Sequence, residues 1–187
     1  MLVLMGKTCS GKDTIRDILA MKYGFHPIVT YTTRPIRKGE INGVSYHYIT
    51  TDEFLHKINN NFFIEWKSYD VNGNTWHYGT SVESITEANE KSVLILTPDG
   101  VRALKKQNIS VTVVYVYSNL ATIRSRLTKR KDNNDSIERR IQKDQIDFKN
   151  AYNLANRIVF NNVGDDLEDV VRNINAITYK PNEKGGD

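Results

Sequence analysis

The chain has little of what commits a protein to a secreted or membrane-bound life. Cys9 is its only cysteine in 187 residues, so an internal disulfide is excluded and a reducing compartment suits it. No apolar run approaches the roughly eighteen residues that span a bilayer. The first residues enter a strand at once and leave no room for a secretion signal, so a cytoplasmic protein without membrane contact is expected. Internal repeats are missing. Neither sign of charge is in large excess: 26 Lys and Arg against 22 Asp and Glu give a formal +4. The arginines gather around 34–37 and 126–140, which suits small polyanions better than a nucleic-acid backbone. A hydrophobic content of 39% with ten tyrosines supports one core with at most a small inserted subdomain.

What is present starts with Leu2-Val3-Leu4-Met5, an apolar strand, followed by Gly6-Lys7-Thr8-Cys9-Ser10-Gly11-Lys12-Asp13-Thr14. Apolar residues at helical spacing follow from Ile15 to Met21. Strand, glycine-bounded loop and helix in that order form a phosphate cradle, where inward N–H groups add to the positive end of the helix dipole. Lys12 supplies a mobile point charge for β- and γ-phosphates. The spacing is that of the Walker A loop except at Asp13, where a metal-binding hydroxyl is usual; Thr14 offers one a residue later, about 100° around the helix. An oxygen-loving Mg²⁺ between Asp13 and the phosphates would turn a repulsion into an attraction, whereas a helix N-terminus stabilised by Asp13 is the plainer alternative. The dipole and Lys12 would favour a thiolate at Cys9, though a small residue filling a tight turn fits as well.

Further along, residues 27–30 read as a strand, and Asn42-Gly43 gives a hairpin signal before another short one. Thr50 with Glu53 forms a capping-box pattern opening a helix through Ile58. Short strands are expected over 62–66 and 75–78, making 33–80 a small α+β insertion. Regular alternation then resumes, with helices over 81–89, 98–106 and 120–129, and strands over 93–96 and 111–117. A charged hinge is expected over 130–135, a long helix over 136–155, a strand over 158–160, and a final helix to about 177 capped by Asp165 with Glu168. Residues 178–187 read as a flexible tail. The alternation predicts an α/β fold whose parallel sheet is flanked by helices.

One block is more specific than the loop. Thr32-Thr33-Arg34-Pro35-x-Arg37-x-Gly39-Glu40-x-Asn42-Gly43-x-x-Tyr46 resembles the GMP-binding segment of guanylate kinases, as do Phe63-Ile64-Glu65-Trp66, Tyr78-Gly79-Thr80, Arg126-Leu127-x-x-Arg130 and Ile137-x-x-Arg140. The resemblance implies the P-loop kinase fold: a core of 1–32 and 81–177, a lid at about 126–145, and the insertion as GMP subdomain. It implies transfer of the ATP γ-phosphoryl group to GMP, with dGMP as a second acceptor, Mg²⁺ as cofactor, and a monomer or homodimer. Residues 6–14, Arg126 and Arg130 would then hold ATP. Arg34, Arg37, Tyr46 and Tyr78 would hold the acceptor phosphate, with Glu65, Thr30 and Thr80 at the base. Lys12, Arg37, Arg130 and Arg140 would stabilise the transfer, the lid arginines closing over the phosphates. The family's usual Asp-x-Asp is replaced by Ile95 and Thr97. A GKD loop also occurs in the related ribose 1,5-bisphosphate kinase, and a non-catalytic phosphopeptide-binding module is a third alternative.

Overall fold

A computed structural model describes residues 1–71, 73–130 and 136–178, with Arg130 described by its backbone alone. β1 (Leu2–Met5) leads through the glycine loop into α1 (Lys12–Tyr23), and β2 (His26–Pro27) follows. β3 (Tyr31–Thr32), β4 (His47–Tyr48), α2 (Thr51–Asn59), β5 (Phe63–Val71) and β6 (Asn74–Ser81) form the second block. α3 (Val82–Thr86), β7 (Ser92–Leu96), α4 (Pro98–Lys106), β8 (Thr112–Tyr117), α5 (Leu120–Arg130) and α6 (Ile137–Asp147) come next. A 3-10 turn (Ala151–Leu154), β9 (Arg157–Phe160) and α7 (Leu167–Thr178) complete the described chain.

The parallel sheet has the order β2-β7-β1-β8-β9. All four β1 side chains are fully buried, and they alternate between two cores. Leu2 and Leu4 pack with Ile15 and Leu19 of α1 and Val171 and Ile174 of α7. Val3 and Met5 pack with Val101 and Leu104 of α4 and with Ala151. Period-2 side chains therefore serve both helical layers, and each buried side chain contributes roughly 1.5–3 kcal/mol. β1 lies between β7 and β8, so the loop leaves its C-terminal end where the chain order reverses, the usual place for a ligand crevice.

The second sheet, β4-β3-β6-β5, is built on the antiparallel β5–β6 hairpin. That hairpin is much longer than the strands expected over 62–66 and 75–78, because the polar stretch Lys67-Ser68-Tyr69-Asp70 continues the pairing. Of the strand expected over 27–30 only Pro27 is in a strand, and residues 28–30 fall between β2 and β3, since the chain there leaves one sheet for the other: Ile28 N–H still donates to the Val93 carbonyl, while the Thr30 carbonyl accepts from His47 N–H of β4. Asn42-Gly43 makes a turn, with Gly43 at φ 79°. No hairpin results, because β4 pairs in parallel with β3.

α2 carries the full capping box between Thr50 and Glu53. The helix expected over 81–89 is only α3, capped by Ser81. The long helix expected over 136–155 is broken after Asp147. Asn150 adopts the left-handed conformation, and the turn this allows buries Ala151 and packs Phe148 against the core. Asp166, not Asp165, sits at the start of α7: its carboxylate accepts Glu168 N–H and its carbonyl accepts Val170 N–H, while Asp165 accepts Asn162 N–H. Apart from Arg130 and Thr178, the hinge over 130–135 and the tail over 178–187 lie outside the described residues.

Candidate active site

The glycines of the loop are fixed by what surrounds them. A Cβ on Gly6 would lie 2.4 Å from the Val116 carbonyl oxygen of β8, so the loop can start only where no side chain intervenes. Gly11 has φ +95°, and a Cβ there would also meet the Asn161 side-chain amide at 2.3 Å. Between them Cys9 adopts φ 56°. Its side chain packs against Ile123, Leu127 and Ile141 of α5 and α6. Cys9 therefore fills an apolar contact between loop and helices, as a small residue in a tight turn does.

Lys12 Nζ donates to the Lys7 carbonyl at 2.8 Å and approaches Ser10 Oγ at 3.4 Å. The outer wall of the loop is held by Arg126 together with Ser118 and Asn161, two residues that the sequence did not single out. Asn161 donates to the Ser10 carbonyl at 2.8 Å. Arg126 donates to the Cys9 carbonyl at 3.1 Å and to Ser118 Oγ at 3.3 Å. Arg126 thus sits at the loop's flank. Asp13 is exposed in the first turn of α1 and makes a 3.6 Å ion pair with Arg16 one turn on.

One open cleft of about 1030 Å³ contains the inner face of this loop and one face of the second sheet. Of the nominated residues, Gly6, Thr8, Cys9, Gly11, Lys12, Asp13, Thr14 and Arg126 line its loop side, and Arg140 reaches it from α6. Thr30, Arg34, Arg37, Tyr46, Glu65, Tyr78 and Thr80 line the sheet side. Lys7 and Ser10 lie behind the lining, as partners of Lys12, and the Arg130 side chain lies outside the described residues.

The sheet side is organised around Arg34, 3% exposed, and Glu40. The Arg34 fork meets both Glu40 oxygens at 2.8 and 3.0 Å and also donates to the Pro35 carbonyl. Glu40 further accepts Arg37 N–H and the Tyr48 hydroxyl, each at 2.7 Å. Partial burial works against the Glu40 charge, yet these donors hold its pKa down at about 2; burial together with the Glu40 bond pushes the Tyr48 hydroxyl up to about 12. Burial also lowers the tendency of Arg34 to stay charged, but Glu40 more than restores it. The guanidinium lies 5.5 Å from the Tyr46 ring centroid and 5.7 Å from that of Tyr48. Tyr46 in turn packs edge-on against Tyr78. Burial raises the Tyr46 hydroxyl well above its ordinary value, with Asp13 across the cleft adding to the effect. Tyr46 therefore faces the loop as a neutral donor.

Glu65 lies at the other end of this wall. Its Oε1 accepts the Thr80 hydroxyl at 2.5 Å, and burial raises its pKa despite that bond. Gly100, at the start of α4, is what leaves it room: a Cβ there would stand 3.0 Å from Glu65 Oε2. Thr97 caps α4 by accepting Gly100 N–H, so the position of the absent second Asp has a structural task. Lys67 ties the floor together, bonding Asp99 of α4 at 2.8 Å and Asp147 of α6 at 3.2 Å. Among the described residues no three His, Cys, Asp or Glu side chains converge to hold a metal, and no helix is long and apolar enough to cross a membrane.

Comparison with known proteins gives the same reading throughout. The family model described as Guanylate kinase matches residues 1–180. A guanylate kinase of Helicobacter hepaticus is 26% identical over 190 residues, covering 98% of this chain and 93% of that protein. One from Symbiobacterium thermophilum is 33% identical over 147 residues, covering 75% and 68%. Among solved structures, the guanylate kinase of Anaplasma phagocytophilum superposes with a TM-score of 0.67 at 18% identity, covering 95% of this chain and 83% of that one.

Proposed function

The chain belongs to the guanylate kinase family, and from that premise we propose how its cleft transfers the γ-phosphoryl group of ATP to GMP, giving ADP and GDP. The observation that carries the proposal is one cleft that the glycine loop shares with Arg34, Arg37, Tyr46, Glu65, Tyr78 and Thr80 of the facing wall. The loop of residues 6–14 takes the phosphates of ATP on its N–H groups. Lys12 moves from the Lys7 carbonyl to the β- and γ-oxygens, with Arg126 adding charge at the loop's flank. Opposite, Arg37, Tyr46, Tyr78 and the donors that Arg34 has left hold the GMP phosphate. Glu40 orients Arg34 through its side chain and Arg37 through its backbone, as the bidentate pair and the 2.7 Å bond indicate.

Glu65 reads the base, flanked by Thr30 and Thr80. Guanine presents N1–H and a 2-amino group side by side, which one carboxylate accepts together; adenine sets an acceptor against the same charge and is rejected. dGMP shares that edge and is the natural second acceptor. The acceptor phosphate oxygen attacks in line, and the protein contributes position and charge without a covalent intermediate. Arg37, Arg130 and Arg140 stabilise the transfer with Lys12.

Mg²⁺ is the cofactor of this reading, supplying charge neutralisation on the phosphates when bound. Asp13 would hold it, directly or through one water. An exposed carboxylate inside the cleft with one distant partner fits an ion that keeps most of its coordination on phosphate and water.

The test is a coupled ADP-release assay offering GMP, dGMP, AMP and ribose 1,5-bisphosphate in turn. GMP should be the best acceptor, with dGMP next and AMP far behind. Preference for ribose 1,5-bisphosphate, or no transfer to any acceptor, would overturn the assignment.

A further inference from the structure

The phosphate loop already holds an anion, and that anion belongs to the chain itself. Asp144 of α6 is 8% exposed. Its Oδ2 accepts the backbone N–H of Thr8 at 2.7 Å, and its Oδ1 accepts the Thr8 hydroxyl at 3.4 Å. Lys12 and Lys7 attract it electrostatically. A loop amide, a hydroxyl and two nearby ammonium groups are the donor set that a phosphate oxygen takes in such a loop. Burial raises the Asp144 pKa above the ordinary carboxylate value, and Thr8 and the lysines offset part of that rise. Arg140 lies one helical turn earlier, so it shares a face of α6 with Asp144, and both line the cleft. With Asp144 seated, that face brings one positive and one negative charge to the loop.

We propose that Asp144 is an internal competitor for the phosphates of ATP. In the nucleotide-free chain it seats α6 on the loop through Thr8, and an incoming phosphate displaces it. Donor entry and release of α6 from the loop are then one event. Like charges cannot share the Thr8 amide, so the carboxylate must leave before the phosphate can take its place. Its departure removes a negative charge from beside Lys7 and Lys12, so the exchange leaves the loop more positive toward the incoming phosphate. Asp144 acts as a positioning residue, because its contact is with the loop and not with the reacting atoms. The proposal rests on the loop being the ATP site.

Titration calorimetry with a non-hydrolysable ATP analogue and Mg²⁺, in the absence of GMP, tests it on the wild type, Asp144→Asn and Asp144→Ala. Asparagine keeps the size and an acceptor for Thr8 N–H but loses the charge, whereas alanine removes both. Losing a competing charged hydrogen bond should tighten analogue binding by about tenfold or more in Asp144→Ala, with Asp144→Asn between it and the wild type. GMP affinity, measured separately, should stay put in both variants. A residue that merely braced the fold would weaken binding when removed. Unchanged or weaker analogue binding in the variants would therefore overturn the proposal, and Asp144→Asn decides the matter if the alanine variant fails to fold. Weaker binding restored by raising Mg²⁺ would make Asp144 a metal ligand instead. Absence of binding by all three chains would overturn the loop assignment itself, and the proposal with it.

Discussion

Glu40 is the residue whose removal should reach furthest from a single atom change. In Glu40→Gln the bidentate acceptor of Arg34 becomes an amide, and its nitrogen faces the guanidinium with a donor against a donor. Arg37 N–H and the Tyr48 hydroxyl, which both bond Oε2, keep only a neutral and weaker acceptor. A carboxyl held at about 2 instead of its ordinary 4.5 corresponds to about 3 kcal/mol, at about 1.4 kcal/mol per tenfold change in proton affinity. The Glu40 side chain keeps 18% exposure, so solvent screening brings this to about 2 kcal/mol. In a domain of this size each kcal/mol moves the melting temperature by about 2–4 °C, so Tm should fall by about 4–8 °C at neutral pH. A depressed carboxyl stabilises the fold fully above its unfolded pKa and loses that contribution as the pH drops through its folded one. The wild-type advantage should therefore be flat above pH 4.5 and shrink toward pH 2, the two values that bracket the shift. Urea melts of both chains across that range check the sign as well as the size. A variant as stable as the wild type at pH 7, or a gap that widens on acidification, would refute the reasoning.

Two further expectations follow from neighbouring contacts. Gly100→Ala places a Cβ 3.0 Å from Glu65 Oε2 and 3.1 Å from Leu96 Cδ2, so the KM for GMP should rise about tenfold. The KM for ATP should stay unchanged in that variant, and stability should hold because alanine is the better helix former by about 1 kcal/mol; steady-state kinetics with either substrate varied, and a melt, decide it. Asp13→Ala should raise the Mg²⁺ concentration needed for half-maximal rate and Asp13→Ser should recover part of the loss, whereas identical Mg²⁺ dependence would leave Asp13 as a partner of Arg16 alone.

The core of the fold was legible because β1, β7 and β8 are short apolar runs with glycine or polar ends, and because Thr50 and Glu53 form a local signal that tertiary contacts need not complete. The β5–β6 hairpin was read too short because Lys67, Ser68, Tyr69 and Asp70 do not look like a strand. Their pairing depends on partners across the hairpin, and the tie from Lys67 to Asp99 and Asp147 on α4 and α6 has no local signature. The helix over 136–155 was read too long for the converse reason: its interior lacks a glycine or proline, and the break at Asn150 serves the burial of Ala151.

At the site, spacing and resemblance nominated many of the residues that line the cleft, but not Ser118, Asn161 or Asp144 around the loop. Ser118 and Asn161 follow β8 and β9 directly, at the same end of the sheet as the loop after β1. The tendency of ligand crevices to form at the C-terminal ends of parallel strands could have found them. Asp144 carries no such signal, because only the packing of α6 brings it to Thr8, 136 positions away in sequence.

The division of the cleft into a loop that takes ATP and a sheet that takes GMP is tested most directly in Lys12→Ala, by measuring GMP binding and phosphoryl transfer side by side. Transfer should be abolished while the GMP dissociation constant stays close to that of the wild type, since Lys12 sits on the loop side of the cleft, bonded to the Lys7 carbonyl, and the proposed GMP residues line the other side. GMP affinity falling as far as the rate would contradict the division.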